Sequence, residues 1–225
     1  MKEGVSVSFY AVKRGKVTGI YRTWDECKKN TDGFPKAVFK KFLTSEEAES
    51  YMDEPINEPR EMNEEEVHEF ISDPSVTYSF IDGSCNPATM VYGYGGYIRH
   101  EGKRHYLQGS GKDEEMIAMR NIAGELLGSV KMVDKALELG IKKISVFYDY
   151  VGIEMWATGR ATRKTRIQSH YYNLMQEAMK AIDIEFIKVK AHIGIEGNEL
   201  VDRLAKEAVG VIDTKELDNL SLIEA

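Results

Sequence analysis

Val76-Thr77-Tyr78-Ser79-Phe80-Ile81-Asp82 runs directly into Gly83-Ser84, and the stretch reads as a β-strand that ends on an acid. Residues 91–99 and 103–108 read as two more strands, joined by the turn His100-Glu101-Gly102. A long helical pattern follows from about 114 to 139 and is closed by Gly140. Residues 143–148 form a second buried-looking β run, and it too ends on an acid, Asp149. Helical stretches near 150–157 and 166–182, a strand at 184–189 and a helix at about 197–209 complete the series. The order β-β-β-α-β-α-α-β-α predicts an α/β unit, a mixed five-stranded sheet with helices packed on its faces.

The chain has 225 residues, 42% hydrophobic and 30% charged, enough apolar material for one sizeable core or two modest ones. That rules out a wholly disordered or collagen-like chain. No apolar run approaches the roughly 18 residues of a membrane span, so no membrane association is expected. Met1-Lys2-Glu3-Gly4 leads into alternating strand-like sequence without a signal-peptide core, so secretion is not expected. Cys27 and Cys85 lie far apart without metal-ligand spacing, which excludes a disulfide framework and a zinc ribbon and fits a reducing cytoplasm. Nothing in the sequence calls for an obligate protein partner.

The net charge of -7 conceals an uneven distribution. Residues 1–44 hold ten Lys/Arg against four Asp/Glu, a net of +6, whereas residues 53–75 hold nine acids against Arg60 alone, a net of -8. The acidic stretch also carries Pro55, Pro59 and Pro74, the composition of a solvated linker. Residues 76–210 are nearly balanced, with 18 basic and 17 acidic residues. The reading is a basic domain at 1–52, an acidic tether at 53–75, a larger domain at 76–210 and an acidic tail at 211–225.

In the basic domain Val5, Val7 and Phe9 alternate with polar neighbours, and residues 17–21 read as a returning strand after the basic turn Lys13-Arg14-Gly15-Lys16. Thr23-Trp24-Asp25-Glu26 and Thr44-Ser45-Glu46-Glu47 fit the capping box, so each opens a short helix, with a third strand at 37–42 between them. A small α+β domain of three strands and two short helices results. Tyr10 is out of phase with its neighbours, Trp24 sits in a first helical turn, and Phe39 is followed by Lys40 and Lys41. Inward packing is the commoner fate of any one such ring. Three of them among ten positive charges point to a nucleic-acid surface, where rings stack and ammonium groups neutralise phosphate.

In the larger domain four acids stand where a buried or strand-end carboxylate is expected. Asp82 and Asp149 each end an apolar strand, the edge at which α/β sheets set functional side chains. Glu125 lies in Asn121-Ile122-Ala123-Gly124-Glu125-Leu126, and Asp202 in Leu200-Val201-Asp202-Arg203-Leu204-Ala205. An unpartnered buried carboxylate is costly, and for any one acid a salt bridge to Arg120 or Arg203 is the plain explanation. Four on converging elements favour an all-oxygen site for Mg²⁺, with Mn²⁺ as substitute.

Two resemblances carry this further. Phe9-Tyr10-Ala11-Val12-Lys13-Arg14-Gly15, Gly19-Ile20-Tyr21, Trp24-Asp25-Glu26-Cys27 and Phe39-Lys40-Lys41-Phe42 resemble the hybrid-binding domain that precedes many ribonucleases H. A similar module occurs in plant-virus inclusion-body proteins, so by itself it implies nucleic-acid binding only. The resemblance implies that Tyr10, Trp24 and Phe39 meet the sugars of a DNA strand and that Lys40 and Lys41 hold its phosphates. Ile81-Asp82-Gly83-Ser84, the segment from Asn121 to Leu126, Phe147-Tyr148-Asp149 and His192-Ile193-Gly194-Ile195-Glu196-Gly197-Asn198-Glu199-Leu200-Val201-Asp202 are similar to the motifs of ribonuclease HI, in the family's order.

That second resemblance implies the ribonuclease H-like fold and hydrolysis of the RNA strand of RNA–DNA hybrids with two metal ions, leaving 5′-phosphate and 3′-hydroxyl ends. It assigns the catalytic, metal-holding carboxylates to Asp82, Glu125, Asp149 and Asp202, and a loop histidine to His192. The backbone near Gly83, Ser84, Cys85 and Asn86, with Asn121 and Glu125, would read RNA 2′-hydroxyls. The chain departs from the family pattern at Arg120 and Ile122, where Thr and an amide are common, and at Tyr150, where Ser is frequent. Its segment 157–169 is short where relatives carry a long basic protrusion, which shifts substrate grip to the N-terminal module.

Overall fold

A computed structural model describes residues 8–56, 58–190 and 195–211, and the chain divides into two compact units, 1–58 and 59–225. The first unit comprises β1 (Phe9–Arg14), β2 (Gly19–Tyr21), α1 (Trp24–Thr31), β3 (Val38–Phe42) and α2 (Ser45–Asp53). Its antiparallel sheet has the order β2-β1-β3, the three strands and two helices expected. Thr23 and Glu26 close the full reciprocal capping box, while the Thr44 side chain accepts from the amide of Glu47. Ala11, Val12, Cys27 and Ala48 are fully buried, a small core suited to so short a unit.

The second unit comprises β4 (Arg60–Glu61), α3 (Glu64–Ser72), β5 (Tyr78–Asn86), β6 (Val91–His100), β7 (Lys103–Gly111), α4 (Glu114–Ile117) and α5 (Asn121–Glu138). It continues with β8 (Lys143–Tyr148), α6 (Gly152–Ala157), α7 (Arg166–Ala178), β9 (Asp183–Lys188) and α8 (Glu196–Ala208). The strands form one mixed sheet in the order β4-β9-β8-β5-β6-β7. β5, β6 and β7 are antiparallel neighbours, while β5, β8, β9 and β4 run parallel. One apolar layer joins Ile81, Val146 and Tyr148 to Leu126, Met132, Ile153 and Met175 of α5, α6 and α7. The opposite layer joins Tyr78, Phe80, Phe147 and Ile187 to Val67 of α3 and Val201 of α8. Among the described residues no helix is long and apolar enough to cross a membrane.

Four expectations are corrected. The sheet has six strands, not five, because Arg60 and Glu61 pair in parallel with Ile187 and Lys188 on the outer edge of β9. A two-residue strand leaves no alternation to read. The segment 53–75 is not a solvated tether: Asn63 and Glu66 form a capping box that opens α3, and Val67 is fully buried. The acids of α3 lie on its exposed face while Val67, Phe70 and Ile71 turn inward, so charge averaged along the chain hid an amphipathic helix. The helix expected over 114–139 is broken, since Arg120 takes φ 53° and ψ -127° and separates α4 from α5. Asp82 lies inside β5 rather than at its end, because β6 accompanies β5 as far as Asn86.

Candidate active site and nucleic-acid surface

The parallel pairing of β5 with β8 stops at Phe80 opposite Phe147. Asp82 and Asp149 each stand two residues beyond that pair, so equivalent register brings the two acids together at the mouth opened where the strands part. Glu125 arrives from α5. That helix can lie against β5 because Gly83 has no side chain: a Cβ there would collide with the carbonyl of Asn121 and the amide of Glu125. In the same way Gly95 of β6 admits the backbone of α8 at Val201 and Ala205, which carries Asp202 to the other side of the site.

Carboxylate oxygens of Asp82, Glu125 and Asp149 lie within 4.8 Å of one another. Burial, then the charge of Asp149, pushes the Asp82 carboxyl up to about 7, although the amide of Gly83 donates to Asp82 Oδ1 at 2.7 Å. Burial, then Asp149 and Asp82, pushes Glu125 up to about 9 against a donated bond from the Tyr150 amide. Asp82 and Glu125 therefore hold their protons more tightly than ordinary carboxyls unless a cation neutralises the set, and hard oxygen donors this close suit a divalent cation such as Mg²⁺ or Mn²⁺. Asp202 is outside the 4.8 Å set; its Oδ2 is 2.6 Å from Lys206 Nζ, and its charge still raises Asp82. His192 lies outside the described residues.

Around this set, Asn121 is exposed at the first turn of α5, beside Gly83 and the half-buried Ser84. The side chain of Cys85 packs with an apolar cluster of Tyr92, Ile117 and Ala123. Asn86 donates to the Val209 carbonyl at 3.1 Å and accepts from the Ala88 amide at 3.1 Å, so its side chain fastens the chain rather than facing the acids. Sequence reasoning missed Lys188, which lines the same cleft as Glu125, Asp149 and Tyr150. It also missed Glu61, which holds Lys188. Neither residue carries a motif, and only strand register reveals them.

In the first unit the three aromatics form one surface. Trp24 is 46% and Phe39 40% exposed, and the Trp24 ring centre is 5.8 Å from both Tyr10 and Phe39. Tyr10 opposes Lys41 and Val12 opposes Phe39, which sets all four on one sheet face, with Lys41 Nζ 5.9 Å from the Tyr10 ring. Lys40 takes the other face, its ammonium over Phe42 and Tyr51. Exposed rings flanked by a lysine can stack on sugars or bases while the ammonium meets phosphate.

A family model described as RNase H matches residues 74–210, and one described as Ribonuclease H1 N-terminal domain matches residues 8–52. Ribonuclease H1 of Homo sapiens is 26% identical over 262 residues, covering 88% of this chain and 88% of its own. Ribonuclease H of Saccharomyces cerevisiae is 50% identical over 48 residues, 21% of this chain and 14% of that protein. Among solved structures, the N-terminal RNase H domain of a Mycobacterium tuberculosis protein has a TM-score of 0.49 at 18% identity, covering 59% of this chain and 98% of that one.

Proposed function

The chain belongs to the ribonuclease H family, and from that premise we propose that it is a divalent-metal-dependent endonuclease that hydrolyses the RNA strand of RNA–DNA hybrids and leaves 5′-phosphate and 3′-hydroxyl ends. The observation that carries the reading is the set of three mutually repelling carboxylates, Asp82, Glu125 and Asp149, on three converging elements. These three, with Asp202 beside them, are the residues that would hold two metal ions, Mg²⁺ or in its place Mn²⁺. Such ions supply a lowered pKa for the attacking water and charge stabilisation at the leaving 3′ oxygen.

The chain's own residues supply orientation and selection. The backbone at Gly83, Ser84 and Cys85, with Asn121 and the Glu125 carboxylate, reads 2′-hydroxyls and so selects an RNA strand at the carboxylates. His192, four residues ahead of Glu196 in the sequence, assists turnover. Tyr10, Trp24 and Phe39 meet the sugars of the DNA strand, and Lys41, on the same sheet face, its phosphates, which supports preference for a hybrid over duplex RNA. None of these groups reads a base edge, so cleavage is largely independent of sequence. The test is a labelled hybrid with Mg²⁺ beside duplex DNA and duplex RNA. Cleavage confined to the RNA of the hybrid is expected, and an intact hybrid in that assay defeats the proposal.

A further inference from the structure

The two-residue strand β4 has a consequence for the cleft. Its register sets Glu61 beside Lys188, with Lys188 Nζ 2.9 Å from Glu61 Oε1, and the Met62 amide donates to the Lys188 carbonyl at 3.0 Å. On the inner side Lys188 is paired with Tyr148, the residue directly before Asp149. Lys188 is therefore fixed between two strands at the carboxyl ends of the parallel part of the sheet, where α/β proteins bind their ligands. Its side chain is only 22% exposed and lines the same cleft as Glu125, Asp149 and Tyr150.

We propose that Lys188, held in place by Glu61, binds a phosphate of the RNA strand next to the one that is cut; this rests on the ribonuclease reading and adds a residue to its substrate site. Two divalent cations would do no more than offset the charge of the four acids, so a cation at the lip of the cleft adds an attraction for a neighbouring phosphodiester that the site itself lacks. Lys206 is drawn to Asp202 at 2.6 Å, on the other side of the site. An ammonium has three N–H donors, so the bond to Glu61 orients Lys188 without exhausting it. With the Glu61 side chain 49% exposed the pair is partly screened by solvent, so it adds little to the sheet edge by itself. Lys190 lines the cleft as well but is exposed and, among the described residues, has no strand on its outer side, so it adds charge to the lip without being held as Lys188 is.

The test uses the full chain and the variants Lys188→Met, Lys188→Arg and Glu61→Gln. Hybrid affinity is measured against salt with Ca²⁺ in place of Mg²⁺, so that binding is read apart from cleavage, and kcat and KM are measured in Mg²⁺. Lys188→Met is expected to flatten the slope of log affinity against log salt by about 0.9, or about 0.7 if the contact behaves as in a single strand. It should also raise KM about fivefold, with an unchanged melting temperature. Lys188→Arg should restore the slope. Glu61→Gln should keep the slope, because the ammonium keeps its charge, yet lower kcat about threefold, because the phosphate is no longer fixed relative to the carboxylates. A wild-type slope and KM in Lys188→Met overturns the phosphate contact, and a wild-type kcat in Glu61→Gln overturns the holding role of Glu61. Failure of the wild-type chain to cleave hybrid would instead count against the ribonuclease reading, while the binding slope still decides for or against Lys188.

Discussion

At the scale of the residue, the burial of Asp82 and Glu125, and then the repulsion among them and Asp149, makes stability depend on pH with a definite sign. Both Asp82 and Glu125 titrate above an ordinary carboxyl, at about 7 and about 9. Without metal, the folded state therefore keeps protons near pH 6 that the unfolded chain has released. The resulting stability is full below the ordinary carboxyl range and is lost as pH rises through 7 to 9. The melting temperature in EDTA should fall between pH 6 and pH 9, and added Mg²⁺ should reverse the fall. Asp149→Asn removes a charge that both neighbours feel, so it should melt several degrees above wild type at pH 9 in EDTA while cleaving no hybrid. A variant that melts lower there, or turns over normally in Mg²⁺, would refute the account of mutual repulsion or of catalysis respectively.

At the scale of the element, the site depends on how closely helices approach strands, and that part was poorly legible in the sequence. Asp82 and Asp149 could be found because each follows an apolar β run, and Glu125 because it interrupts an apolar helix. The glycines of β6 belong to no motif, and packing accounts for two of them: a Cβ on Gly95 would collide with Val201 and Ala205 of α8, and one on Gly93 with Ala208 and Val209 at the end of that helix. Gly83→Ala should push α5 and Glu125 away from β5, costing about 3 kcal/mol in chemical denaturation as an overpacked contact does. Full stability in that variant would show that the contact is loose. α3 was obscured for a different reason: its outer face is so acidic that composition imitates a linker, and Val67, Phe70 and Ile71 show their helical spacing only once that face is set aside. A second unit begun at residue 76 loses these side chains from Phe147 and Ile187, on the order of 5 kcal/mol of apolar burial. It should melt well below a fragment begun at residue 59, and equal melting would return the segment to the role of a tether.

At the scale of the whole molecule, the chain joins a basic module with an exposed aromatic face to a unit that carries clustered carboxylates. Only six residues lie between the end of α2 and the start of β4, which span about 25 Å at most. A connection that short keeps the second unit near any hybrid the first has bound, at high effective concentration, but gives little reach along the duplex. The module should therefore act on affinity and hardly at all on the chemical step. Trp24 stands between Tyr10 and Phe39, so Trp24→Ala removes the middle of the aromatic face while leaving the capping box of Thr23 and Glu26 intact. Hybrid binding should weaken by about 1–3 kcal/mol, the usual worth of a ring that stacks on nucleic acid. The salt slope should not change, because no charge is lost, and kcat at saturating hybrid should stay within about twofold of wild type. Affinity by titration and steady-state cleavage read the two effects separately. If affinity is unchanged, the aromatic face is not the binding face; if kcat falls in step with affinity, the two units do not divide the work between grip and chemistry.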